Sequence, residues 1–215
     1  MSGTILRVGL TGNIGAGKST VAGLLDGPGF MVVDADRLGH SVLDDDENAR
    51  AQIVGELGVE ILDATGRIDR ALLGALVFAD PTARRRLEAI LHPRIRTTEE
   101  ERVAHWGVNR GVAVTEAALL VETGGHERYH RLVVVSAPRQ TRIERLAIRG
   151  MNQADAERRM AAQMAEADKV AVADYLVDNG GTPDDTVAQV ADVREQLLED
   201  LRAICAGLSL PLRQR

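Results

Sequence analysis

The sequence predicts an α/β fold with a parallel five-stranded sheet, and three observations predict it. Short apolar runs alternate with helical stretches, which is the pattern of βαβ units. The runs are apolar throughout instead of alternating with polar residues, as expected of strands covered on both faces. A glycine-rich loop stands between the first run and the first helix, where a three-layer fold places its ligand crevice.

Residues 5–10 read as the first strand and 18–25 as the helix that follows, with "DGPG" at 26–29 as a turn. "FMVVD" at 30–34 is the second strand, and Val112 to Val114 with Glu116 is the third. "RLVVVS" at 131–136 is the fourth and "YLVD" at 175–178 a short fifth. Residues 186–208 form a long amphipathic helix. Two stretches depart from this rhythm. Residues 67–107 are helical in pattern, with Asp80-Pro81 opening a helix, and read as a helical insertion. Residues 141–168 form a second helical insertion, split at "GMN", with Asn152 and Asp155 spaced as a helix N-cap. The layout is therefore a core of residues 1–66, 108–140 and 169–208, an insertion at 67–107, a lid at 141–168 and a frayed tail at 209–215.

The chain has 215 residues, enough for one sizeable core or a core with a small inserted domain. Aromatic residues are 2% of the total, so Leu, Val, Ile and Ala must build that core. The net charge of −6 argues against a nucleic-acid partner, which would call for an excess of Lys and Arg. A local positive pocket for a small anion remains compatible with it. Cys205 is the only cysteine, which excludes an intrachain disulfide and fits a reduced cytoplasm. No apolar run approaches the ~18 residues of a membrane span, and the first residues lack a secretion-signal pattern.

Gly12-Asn13-Ile14-Gly15-Ala16-Gly17-Lys18-Ser19 matches the P-loop pattern G-x-x-x-x-G-K-S, after a predicted strand and before a predicted helix. Glycines let backbone N–H groups converge on an anion, and the helix that opens at Lys18 adds its positive end. Lys18 reaches the β- and γ-phosphates, and the Ser19 hydroxyl ligates Mg²⁺. A glycine-rich turn that only joins strand to helix has no need of Lys18 and Ser19. The loop is therefore expected to hold a nucleoside triphosphate.

Asp34 and Asp36 lie at and just past the end of the second strand, where carboxylates line the crevice of an open α/β sheet. One accepts a proton or holds a magnesium water, and the other caps the next helix. Arg142, Arg145 and Arg149 share a helix face by spacing, an arrangement suited to a triphosphate or to plain solvation. "LHPRIR" at 91–96 is expected to break a helical stretch at His92-Pro93 and to start a helix at a pocket wall. His92 has no second ligand at metal spacing.

The elements "GLTGNIGAGKST", "VDADRLGH", "GRIDRALLGALVF", "LHPRI", "ALLVE", "RLAIRG" with "RRMAAQM", and "ADYLVDNGG" together resemble the dephospho-CoA kinase family over nearly the whole chain. The resemblance implies a P-loop core, a helical CoA-binding insertion and a lid. It also implies transfer of the ATP γ-phosphoryl group to the ribose 3′-hydroxyl of dephospho-CoA with Mg²⁺, by a cytoplasmic monomer or weak homo-oligomer. It implies Asp36 as the catalytic aspartate, also at the acceptor, with Lys18, Arg145 and Arg149 on the phosphates and Ser19 on magnesium. The loop from Gly12 to Ser19, with Thr20, then contacts ATP, and Asn179 lies near its adenine. His92, Pro93, Arg96 and Leu119 fall to the acceptor. Asn13 replaces the family's usual glycine, and asparagine also accepts a positive φ. Glu116 and Ala118 stand where the family usually has Asp and Pro.

Three readings compete with this one. A kinase for another small hydroxyl substrate, such as a nucleoside monophosphate, shares the loop and the arginines. A GTP-binding switch would need an N-K-x-D run, which the sequence lacks. A module that only senses ATP would release no ADP in response to an acceptor.

Overall fold

The computed structural model describes residues 4–106 and 110–210, which form two compact units. The first comprises the chain up to Asp34 and from Trp106 onward, and the second is Ala35–His105. Gly107, at the end of the predicted insertion, and residues 211–215 of the predicted tail lie outside the described residues.

The first unit carries a five-stranded sheet of β1 (Thr4–Gly12), β2 (Phe30–Asp34), β3 (Arg110–Glu116), β4 (Arg131–Ser136) and β5 (Tyr175–Asp178). All pairings are parallel, in the order β2-β3-β1-β4-β5. Helix α1 (Lys18–Leu25) joins β1 to β2. Strand β1 runs two residues past its predicted end, because Gly12 still pairs with Val135. Side chains of β4 show both covered faces. Val133 and Val135 enter one cluster with Leu6, Val21, Leu25 and Leu197, while Leu132 and Val134 enter another with Leu120, Val121 and Ala173.

Helices α6 (Arg139–Ile148), α7 (Gln153–Ala161) and α8 (Glu166–Ala171) connect β4 to β5, and α9 (Pro183–Cys205) follows β5. Between β2 and β3 the chain forms the helices of the second unit, Ala35–His105. The Asn152 side chain caps α7 by accepting from the Asp155 N–H at 2.8 Å, as its spacing predicts. Helix α9 begins three residues before its predicted start. Thr182 and Asp185 form a reciprocal capping box there, with Pro183 in the first turn.

A buried ionic cluster fastens α9 to the sheet. Arg131 donates to both Asp200 oxygens, at 2.7 and 3.2 Å, and Tyr175 donates to Asp200 at 2.5 Å. Burial works against the Arg131 charge, but the Asp200 hydrogen bonds and the nearby carboxylates outweigh it and hold the guanidinium above its ordinary value. Asp200→Ala removes two hydrogen bonds from that buried guanidinium, whose contact to Asp174 is longer, at 3.4 Å. The expected cost is about 3–5 kcal/mol, read as a lower urea midpoint at unchanged slope.

The second unit packs α2 (Ala35–Asp45), α3 (Glu47–Leu57), α4 (Arg70–Ala79) and α5 (Pro81–His105) around Leu43, Ile53, Ile61, Leu73 and Ile90. It opens at Ala35, not at residue 67, because α2 and α3 contribute to the same core as α4 and α5. Asp46 and Asp69 cap α3 and α4 through their side chains.

The expected break at His92-Pro93 does not occur. Pro93 lies inside the 25-residue helix α5. A proline there removes one backbone donor and crowds the preceding turn. The Arg94 side chain donates to the Ile90 carbonyl at 2.8 Å, and its Nε donates to Asp46 on the α2–α3 side at 3.1 Å. Packing against α2 and α3 holds the helix continuous.

Candidate active site

The loop between β1 and α1 is held from several sides, all within the first unit. At Gly12 a Cβ would lie 2.3 Å from the Val135 carbonyl oxygen, so strand pairing with β4 requires glycine there. Gly17 caps α1 in the left-handed region at φ 95°. No side chain caps this helix, and its first turn holds no acidic residue. The start of the helix, with its positive dipole end, therefore meets no side-chain cap and no carboxylate of its own first turn, and Lys18 and Ser19 lie in that turn.

Asn13 does not take the positive φ that its place in the loop suggested. Its side chain is buried and donates to the Met164 carbonyl at 3.1 Å. Ile14 N–H donates to the Gln163 side chain at 2.8 Å. The stretch between α7 and α8 therefore docks directly on the loop. "RRMAAQM" was legible as a motif, but nothing local marked Gln163 as a partner of Ile14.

The Ser19 hydroxyl donates to Glu116 Oε1 at 2.9 Å. Glu116 ends β3, is buried, and lies in register with Leu10 on β1 and with Asp34 on β2. Hydroxyl and carboxylate oxygens are hard donors of the kind Mg²⁺ selects, with phosphate oxygens and water completing its shell. Among the described residues no group of three or more His, Cys, Asp or Glu could hold a metal alone. The donor set thus suits a cation brought in with a nucleotide.

The turn after β3 is fixed by Lys169 on α8. Its fully buried ammonium lies 2.8 Å from Glu122 and donates to the Ala118 carbonyl at 3.0 Å. Leu119 lies in this turn and is partly exposed. Asp34 closes β2, and Asp36 sits exposed in the first turn of α2, which begins without an intervening loop.

The three arginines do not act as one face. Arg142 is buried, 3.8 Å from Glu166. Arg145 donates to the backbone carbonyls of Ala16 at 3.3 Å and Asn179 at 2.8 Å. Arg149 follows the last residue of α6. Arg145 and Arg149 line a cavity of about 470 Å³ with Gly17, Thr20, Asn179 and Pro183. Its apolar wall comes from Leu24, Val187 and Ile148, the last 87% exposed. Thr20 and Asn179, both named from the sequence, thus share a cavity with the loop.

In the second unit a cavity of about 830 Å³ opens between α2, the start of α3 and α5. Pro93 and Arg94 line it; His92 and Arg96 are exposed on α5 outside its lining.

The dephospho-CoA kinase family model matches residues 6–185. The chain belongs to the dephospho-CoA kinase family. It is 42% identical over 194 residues to the dephospho-CoA kinase of Frankia casuarinae, covering 90% of this chain and 84% of that one. With the dephospho-CoA kinase of Thermobifida fusca it shares 41% identity over 200 residues, 93% of this chain and all of that one. The crystal structure of TT1252 from Thermus thermophilus superposes with a TM-score of 0.74 at 32% identity, covering 97% of this chain and 99% of that one. Membership in the dephospho-CoA kinase family makes the chain an ATP-dependent kinase and disfavours a nucleoside monophosphate as its acceptor. Among the described residues no helix is long and apolar enough to cross a membrane.

Proposed function

We propose that this protein transfers the γ-phosphoryl group of ATP to the ribose 3′-hydroxyl of dephospho-CoA, giving CoA and ADP. The observation that carries the reading is the P-loop at the uncapped start of α1, in a chain of this family. The loop N–H groups and Lys18 bind the β- and γ-phosphates. The acceptor oxygen forms its bond to the γ-phosphorus as the bond to the β-bridging oxygen breaks, and its proton passes to the Asp36 carboxylate. ADP leaves with the electron pair of the broken bond.

Ser19 and Glu116 would hold Mg²⁺, which when bound supplies neutralisation of phosphate charge. Arg145 and Arg149 carry positive charge along the cavity that takes the nucleotide, with Asn179 on the same wall. The acceptor falls to the helical unit Ala35–His105, through Asp36, His92, Pro93 and Arg96, and to Leu119. Residues 141–168 act as the lid. The protein works in the cytoplasm, without nucleic acid, as a monomer or weak homo-oligomer.

A coupled ADP-release assay tests the acceptor. Release is expected with dephospho-CoA and Mg²⁺, and not with pantetheine, nucleosides or CoA itself. Equal turnover with an unrelated nucleoside would overturn the assignment.

A further inference from the structure

Asn179 is placed to do something other than touch adenine. The residue is 7% exposed, and its side-chain amide has partners at both ends. Nδ2 donates to the Ala16 carbonyl at 2.7 Å, and Oδ1 accepts from the Thr186 hydroxyl at 2.9 Å. A backbone carbonyl can only accept, so the nitrogen end must face Ala16. Thr186 fixes that orientation by donating to the oxygen end. Arg145 completes the clamp. One of its guanidinium nitrogens donates to the same Ala16 oxygen, and the other to the Asn179 carbonyl. A Cβ on Gly17 would lie 2.0 Å from Asn179 Nδ2, so the amide is pressed against the loop backbone itself.

The peptide between Ala16 and Gly17 is trans, since the described chain has no cis bond. In a trans peptide the C=O and N–H point in opposite directions. Whatever holds the Ala16 oxygen on the Asn179 side therefore turns the Gly17 N–H to the opposite side of the loop. Without the clamp this peptide is free to rotate about the dihedrals on either side of it, because Gly17 carries no side chain to bias it.

We propose that Asn179 is a positioning residue for the phosphate loop: it sets the Ala16–Gly17 peptide so that the Gly17 N–H faces the anion. The inference rests on the reading that this loop binds nucleotide phosphates. It assigns Asn179 and Thr186 to the phosphate end of the ligand rather than to the base.

Base-free and phosphate-free ligands separate the two roles. Calorimetric titration of the wild type, Asn179→Ala and Thr186→Val with tripolyphosphate and with adenosine is the test. Asn179→Ala is expected to weaken tripolyphosphate about tenfold, the value of one hydrogen bond of about 1.4 kcal/mol, and to leave adenosine within about twofold. Thr186→Val keeps the amide but frees its orientation, so it should weaken tripolyphosphate in the same sense by about threefold. That variant also keeps the test open if Asn179→Ala does not fold. Unchanged tripolyphosphate affinity with weakened adenosine would overturn the proposal in favour of a base contact. Equal loss of both ligands would overturn it in favour of a general structural role. A wild type that binds neither ATP nor tripolyphosphate would instead remove the phosphate-loop reading on which the proposal stands.

Discussion

Asp36→Asn is expected to keep ATP affinity within about threefold of wild type and to lower kcat by about 10²–10⁴, the range for a positioned general base. A ribose hydroxyl is a weak nucleophile at neutral pH, so its proton must be taken as transfer proceeds. Asp36 lies in the first turn of α2, two residues past the end of β2, while Asp34 closes that strand beside Glu116 on β3. Asparagine preserves size and one acceptor oxygen, and position 36 is exposed, so the loss should be chiefly chemical, with only the small drop in melting temperature that follows from removing a negative charge from the first turn of α2. Steady-state kinetics with a separate ATP titration check it. Normal turnover in Asp36→Asn with a dead Asp34→Asn would transfer the role to Asp34. Loss of ATP·Mg²⁺ binding without a separate defect in transfer would make Asp36 a metal organiser.

Lys18→Ala is expected to lower kcat by about 10²–10³ or more, by analogy with removal of one preorganised donor from a developing charge. Lys18 is the first residue of α1, so its ammonium adds a full charge to the partial charge of the helix end. Its stabilisation should be greatest where negative charge spreads over the transferring group, which places the deficit in kcat more than in KM for the acceptor. The fold should tolerate the change, since alanine is a good helix former and Lys18 lies outside the apolar clusters of the sheet. Single-turnover measurement at saturating ATP checks it, and near-normal turnover would place Lys18 away from the phosphates.

What the sequence disclosed depended on how local the cause was. The second, fourth and fifth strands kept their predicted limits because turn residues or polar steps bound each apolar run. The start of α9 was placed at residue 186 from the apolar periodicity alone, although Thr182 and Asp185 already spelled a capping box upstream of it. Pro93 reversed a local rule: packing against α2 and α3 keeps α5 whole. The phosphate loop was legible because one short run of residues sets its backbone. Glu116 meets Ser19 across 97 positions, and Gln163 meets Ile14 across 149, so only the assembled fold brings those pairs together. Asn13 misled for a related reason. Its letter allowed a left-handed turn, whereas burial and a bond to Met164 decide its conformation.

The strand order also governs how the chain is made. β1 emerges from the ribosome first, yet its two neighbours in the sheet begin at Arg110 and Arg131. Until those segments are translated, β1 carries two open edges, a template for unwanted pairing. The helices from Ala35 to His105 close among themselves over shorter sequence separations and can settle while the ribosome is still at work. A translational pause before β4 therefore lengthens the interval in which the nascent chain depends on chaperones, whereas a pause after Cys205 leaves every strand and helix of the sheet unit already made.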